Sequence, residues 1–357
     1  MCYKIANKSV AIQIPENMTG MIKVLGLGTF GINIINELFL NDNTGLDFIA
    51  ASCSETTLQS SAVPNNRQLN TNISSFFPFR SNGTIKKQYL AESFDKIIDD
   101  RTKIIIVIAE SKNSEMIALL GRMAKSKGIL SMAIITVPID RNKIIEQMVT
   151  LPKIKRLYSY VNALLIIDHF RIKDKYGILN HDEKLVKLKE SVIESLSSIV
   201  TNITVSSADT LCANYSSINF KYSKMVLSDN SNCFAGQAMA KGENRANKAV
   251  TEALKPCCLL HSNIKSAKNI SVVISSGTVD MTIEEVGVIN AYIQSKTGHC
   301  SNIIMSTSED LNLNDAIAVN ILATGFGVST FYKIKIWIAM KINNFSLFSK
   351  KEYTFIN

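Results

Sequence analysis

Short runs rich in Ile and Val recur through the first half of the chain, at Ile22–Leu25, Asp47–Ala51, Lys103–Ala109, Leu130–Thr136 and Ala163–Ile167, with helix-like sequence between them. Apolar strands without a polar face belong to sheets covered on both sides, and helical connections enforce parallel pairing. The expected fold class is therefore α/β, with a Rossmann-like parallel sheet. Ile22–Leu25 leads directly into Gly26-Leu27-Gly28-Thr29-Phe30-Gly31, after which Ile32–Leu38 has a helical pattern. Glycines at 26, 28 and 31 allow a tight turn and close approach of the backbone to a polyphosphate, and the free N–H groups of a helix start attract an anion. The G-x-G-x-x-G pattern also serves dinucleotides, and some such turns only join a strand to a helix.

A chain of 357 residues, 46% hydrophobic, is long enough for two domains. From Asp182 onward Leu185, Leu188, Val192, Leu196 and Ile199 recur at spacings of three and four, which predicts a long helix over 182–204 as a spine between domains. A second α/β unit follows. Ala246, Ala249, Val250, Ala253 and Leu254 make a helical stripe ending near Pro256, Ile270–Ser275, Ile303–Ser306 and Val319–Ala323 read as strands, and Ile283–Gln294 reads as a helix. The expected organisation is an N-terminal extension over 1–20, a nucleotide-binding domain over 21–181, the central helix, a smaller α/β domain over 205–326 and a basic tail over 327–357. In that tail Tyr332–Ile338 alternates Lys with Ile, which reads as a terminal edge strand or tail in preference to an anchor on anionic membrane.

Several classes are excluded. Apolar runs such as Ile129–Ile139 are broken by Pro138 or bounded by charge before they reach bilayer-spanning length, so no transmembrane helix is expected. Lys4, Lys8, Pro15 and Glu16 interrupt the first twenty residues, which carry no secretory pattern, so secretion is not expected and a cytoplasmic location is. Seven cysteines without a C-x-x-C spacing read as reduced thiols. Cys257, Cys258 and His261 lack a second ligand pair, so no metal site is expected. The formal charge of +9 is spread along the chain with no aromatic-basic motif, and no specific nucleic-acid partner is implied.

In the order of its pieces the chain resembles FtsZ, the tubulin relative of bacterial cell division, over roughly residues 21–326. The resemblance rests on Ile22–Gly28 with Asn33, Phe48–Ala50, Val63-Pro64-Asn65, Lys127–Pro138, Tyr160–Ile167, Ser266–Ile270, Met281–Gly287, Ala323–Phe326 and, most specifically, Gly236–Leu254. It implies a tubulin/FtsZ-like architecture: a domain that holds GTP with Mg²⁺, a long central helix, and a second domain whose loop completes the nucleotide site of the next subunit. It also implies self-association or co-polymerisation, other division proteins as partners, and a place at the septum. Gly26, Gly28, Thr29, Gly31 and Asn33 are the expected remnant phosphate contacts.

Other positions depart from the family. Its glycine-threonine phosphate loop corresponds to Glu110-Ser-Lys-Asn-Ser-Glu115, which has no glycine and two carboxylates that should repel a polyphosphate. The Asn-Thr-Asp after the second strand corresponds to Ser52-Cys53-Ser54, the sugar- and phosphate-binding Glu and Arg to Asn142 and Glu146, and the guanine-reading Asp to Lys189, which accepts no hydrogen bond. A further glycine-rich loop corresponds to Leu69–Gly83, which keeps one glycine. The catalytic Asn-x-Asp-x-x-Asp falls on Ser217–Tyr222, with Asn219 and Tyr222 at the positions of the lost acids. Neither supplies a proton acceptor at neutral pH, so hydrolysis should be lost and GTP binding weak or absent. A short partner-binding peptide at the C-terminus has no recognisable counterpart.

The expected function is thus an FtsZ-like scaffold or co-polymerising subunit. The alternatives are a relic scaffold and a dinucleotide-dependent oxidoreductase. The oxidoreductase needs an acid at the end of the second strand, where Ser52-Cys53-Ser54 stands with Glu55 just beyond, and a catalytic base, whereas His169, His181, His261 and His299 are scattered. Gly242–Arg245, at a turn into a helix, reads as structural, with Asn244 as a cap.

Overall fold

A computed structural model of the chain describes residues 18–40, 45–69, 97–137, 153–177, 179–207, 221–227, 231–256, 259, 264–298 and 301–326, less the side chains of 170, 173–175, 206–207, 221–222 and 231. The tail over 327–357 and the first seventeen residues of the extension over 1–20 lie outside these residues.

The five branched, apolar runs form the middle of one parallel sheet, and two short polar strands that the sequence pattern does not predict form its edges. Its strands are β1 (Ile22–Leu27), β2 (Asp47–Ser52), β3 (Asn66–Gln68), β4 (Ile104–Glu110), β5 (Leu130–Val137), β6 (Ala163–Asp168) and β7 (Ser231–Asn232), in the order β3-β2-β1-β4-β5-β6-β7. Every pair is parallel. β4, reading Ile-Ile-Ile-Val-Ile-Ala-Glu, is buried from its first residue to Ala109, as a central strand covered on both faces must be. One face packs on α1 (Gly28–Leu40), the other on α3 (Ser114–Ser126), while the short α2 (Glu55–Gln59) follows β2.

After β6 come α4 (His169–Tyr176) and the central helix α5 (His181–Ser207), one residue longer at its start and three at its end than the predicted 182–204. Its start is set by Asn180 and Glu183: the Asn180 Oδ1 accepts from the Glu183 N–H at 2.8 Å, and the Glu183 Oε2 accepts from the Asn180 N–H at 2.9 Å. This reciprocal pair satisfies two backbone donors at the helix entry. Leu188, Val192, Leu196, Ile199, Val200 and Ile203 form its buried stripe, which joins the first sheet's α1 face and the second domain in one continuous core.

α6 (Lys221–Leu227) leads to the second sheet, of order β10-β9-β11-β8, with β8 (Phe234–Ala240), β9 (Asn269–Ser276), β10 (Asn302–Glu309) and β11 (Ile317–Thr324). β9 and β10 are parallel and are joined by α8 (Ile283–Thr297), while β11 runs antiparallel to β8 and β9. The three strands and the helix read from periodicity form here. β8 is an addition, because Phe-Ala-Gly-Gln-Ala-Met-Ala lacks branched residues and carries little strand signal. Its glycine is demanded by packing: a Cβ on Gly236 would lie 2.1 Å from the Ala253 carbonyl oxygen of α7 (Arg245–Ala253). The central helix is tied to this sheet by Ser198 Oγ, 3.0 Å from the Gly236 carbonyl oxygen and 3.2 Å from that of Ile321.

The turn before α7 corrects one expectation. Asn244 occupies the N-cap position but makes no side-chain cap bond; its backbone is left-handed, with φ of 57°, rather than the extended form a capping side chain needs. Arg245 holds the turn instead. Its guanidinium donates to both Glu285 carboxylate oxygens, at 2.7 and 2.9 Å, and to the carbonyls of Val279, Asp280 and Asp315. Glu285 in turn closes the capping box of α8 with Thr282.

Candidate functional site

Helix α1 begins at Gly28, directly after β1, rather than at Ile32 as the sequence pattern predicts. Two of the three glycines are consequently packing residues. A Cβ on Gly31 would lie 2.2 Å from the Ile108 carbonyl oxygen, and one on Gly26 would lie 2.6 Å from that of Gly31. Gly28 alone of the three has the left-handed backbone that favours glycine, with φ of +72°. Thr29 and Asn33 are exposed, four residues apart and so on one face of the helix. The first turn of α1 carries no acidic residue, so its free N–H groups face no charge of their own element that would compete with an anion.

The β4 end of the site differs from the open loop expected over Glu110–Glu115. Glu110 ends β4, Ser111–Asn113 makes one 3₁₀ turn, and α3 starts at once with Ser114. Both carboxylates have lysine partners: Lys112 lies 2.5 Å from Glu110, and Lys153 lies 2.9 Å from Glu115. The expected repulsion of an anion is therefore partly neutralised within the protein. Instead of a glycine backbone, the Asn113 side chain faces the turn, its Nδ2 lying 3.4 Å from the Leu27 carbonyl oxygen and 2.9 Å from the place of a Gly28 Cβ.

Toward β6, Glu110 pairs in register with Thr136. His169, the first residue of α4, is largely buried; desolvation pulls its pKa down to about 4 against the opposing pull of Glu110, so the imidazole is neutral at pH 7. His169 Nε2 and Thr136 Oγ1 are buried and find no hydrogen-bond partner among the described residues. His169 is the residue that sequence reasoning passed over: a single histidine after a strand carries no periodic signal, and only the fold brings it beside Glu110.

Other expected contacts have been rebuilt for local structure. Ser54 caps α2 through the Thr57 N–H at 3.4 Å and its own N–H donates to Ser52 Oγ at 3.1 Å, so the turn after β2 satisfies itself. Lys189, at the position of a guanine-reading acid, sits 3.6 Å from Glu37 of α1. Asn142, Glu146, residues 70–83 and Ser217–Phe220 with Asn219 lie outside the described residues; Tyr222 falls within α6, but its side chain is not described. The first turn thus fits an anion, whereas the described positions for the second phosphate loop and for guanine do not fit a guanine nucleotide. Among the described residues, no three His, Cys, Asp or Glu side chains converge as a metal site, and no helix is long and apolar enough to cross a membrane.

A parallel sheet with a glycine turn at its carboxyl edge, a 27-residue central helix and a second, mixed sheet define a two-domain protein of tubulin-like architecture. Residues 232–327 match the family model described as FtsZ family, C-terminal domain. Cell division protein FtsZ of Buchnera aphidicola subsp. Baizongia pistaciae is 24% identical over 328 residues, covering 89% of this chain and 82% of the relative. FtsZ of Pseudomonas aeruginosa is 24% identical over 323 residues, covering 89% and 80%. Among solved structures, FtsZ of M. jannaschii superposes with a TM-score of 0.69 at 20% identity, covering 85% of this chain and 91% of that one. CetZ2 of Haloferax volcanii, solved as a GTPγS-bound protofilament, superposes with a TM-score of 0.66 at 13% identity, covering 90% and 99%. The chain is a divergent relative of FtsZ.

Proposed function

We propose that this chain is a cytoplasmic, FtsZ-like cytoskeletal subunit of the cell-division machinery, acting as a self-associating or co-polymerising scaffold with GTP hydrolysis lost and GTP binding weak or lost. The observation that carries the second half is the β4–α3 connection, where Glu110, Lys112 and Asn113 replace a glycine nest beside Gly28. Gly28 and Thr29 are the remaining phosphate contacts, with Asn33 on the same face; Gly26 and Gly31 act by shaping the turn. If nucleotide with Mg²⁺ still enters, the backbone N–H groups at the start of α1 hold its phosphates. Asn219 and Tyr222 supply no carboxylate to activate a water.

Self-association is supported by relatives solved as a dimer, from M. jannaschii, and as a protofilament, from H. volcanii. A septal location and contact with other division proteins follow from the family names alone and belong to the same proposal. The dinucleotide reading is not favoured: the turn after β2 is closed by Ser52 and Ser54, and Glu55 is an exposed residue of α2. Equilibrium binding of a fluorescent GTP analogue, competed by GTP, GDP and ATP, tests the nucleotide half. Weak or undetectable binding is expected; tight, guanine-selective binding with steady phosphate release contradicts it.

A further inference from the structure

The end of the second domain that carries the β9–α8 and β10–β11 connections has an unusual surface. Ile283 is 86% exposed, Leu311 62%, Val279 50% and Val288 43%. The two connections form one continuous surface. The Asp310 N–H donates to the Ser276 carbonyl at 2.9 Å, the Val279 N–H approaches the Asn314 carbonyl at 3.4 Å, and Arg245 ties Val279, Asp280 and Asp315 together from below. Across 277–291 and 302–317 the sequence contains Asp280, Glu284, Glu285, Glu309, Asp310 and Asp315 and not one Lys or Arg. Glu285 is neutralised by Arg245, whereas Glu284 is fully exposed. An apolar, acidic face therefore stands on a chain whose formal charge is +9.

We propose that this face docks the chain's own segment Tyr332–Ile338, in the same molecule. The segment lies outside the described residues, and its sequence is the complement of the face: Ile334, Ile336 and Ile338 alternate with Lys333 and Lys335. On an extended segment Ile334, Ile336 and Ile338 share one side and cover the exposed apolar side chains, while Lys333 and Lys335 leave from the other side and their long stems reach round to carboxylates at the rim, a pairing that also makes the contact selective. Thr324 ends β11 at the far end of an eight-residue strand from Ile317, roughly 24 Å away; Ile336 and Ile338, ten and twelve residues beyond Phe326, can lie up to roughly 33 and 40 Å from it when the chain is extended, so the later half of the segment reaches the face. The inference is independent of nucleotide binding.

Trp337 is the only tryptophan in the chain, so intrinsic fluorescence of the full-length protein reads the segment directly. The docked segment predicts blue-shifted emission that resists acrylamide quenching, at a level unchanged by dilution. Ile283→Asp, or Asp280→Lys with Glu284→Lys, should shift the emission to the red and remove the protection, as should high salt. Lys335→Glu added to the lysine variants should restore it. Thermal unfolding of each variant checks that the fold is retained. Red, freely quenched emission in the wild type overturns the proposal, as does protected emission indifferent to the face variants. Protection lost on dilution also overturns it, in favour of the segment or a basic surface of a second copy.

Discussion

Three buried positions carry predictions of their own. His169 is held neutral by burial, with a pKa near 4 against an ordinary 6.5, so the unfolded chain takes up the proton first as pH falls. Its contribution to stability is fully present above pH 6.5 and is lost as pH falls toward 4, by up to about 3 kcal/mol. His169→Gln should flatten the dependence of the unfolding midpoint over that window, as read by denaturant titration at several pH values. Gly31→Ala places a methyl 2.2 Å from the Ile108 carbonyl oxygen and should cost roughly 1–3 kcal/mol or prevent folding. Gly28→Ala should be milder, since the Asn113 side chain can move. Asn320 on β11 is wholly buried, and among the described residues neither of its side-chain polar atoms has a hydrogen-bond partner; opposite it, Gln237 Oε1 likewise finds none. Replacing an unpaired buried amide by a hydrocarbon of similar size is neutral or stabilising. Asn320→Leu is therefore expected to keep or raise the unfolding midpoint, and a large loss would show that the amide has a partner.

At the scale of elements, the first residue of α7 matters most. Arg245 joins α7 to α8 through Glu285 and to two loops through three carbonyls. Arg245→Ala strands the partly buried Glu285 and those carbonyls, and should cost about 3–5 kcal/mol, read as a lowered unfolding midpoint. Glu285→Gln should cost less, because an amide still accepts from the guanidinium. The five inner parallel strands, α5, α8 and β9–β11 were legible in sequence because each depends on one dominant signal, either Ile/Val-rich runs or a three-four spacing, whereas the polar edge strands β3 and β7 carry no such signal. The start of α1 was not legible: a G-x-G-x-x-G run reads as a loop, and only the Gly31–Ile108 contact shows that the helix already includes it. The same limit hid β8, whose small residues are chosen by α7 packing on it. That the β4–α3 connection has no glycine could be read from the sequence, but the pairing of Glu110 with Lys112 and the approach of Asn113 to Gly28 required coordinates, since they depend on tertiary distance.

For the whole molecule, the continuous core through α5 links the first sheet to the second, mixed sheet. The most direct measurement is sedimentation of the purified full-length chain over a concentration series, with and without GTP and Mg²⁺, with phosphate release followed in the same samples. A scaffold that has lost hydrolysis predicts self-association that is indifferent to GTP and no phosphate release above buffer. Polymer that appears only with GTP and disperses as phosphate is released would contradict the account.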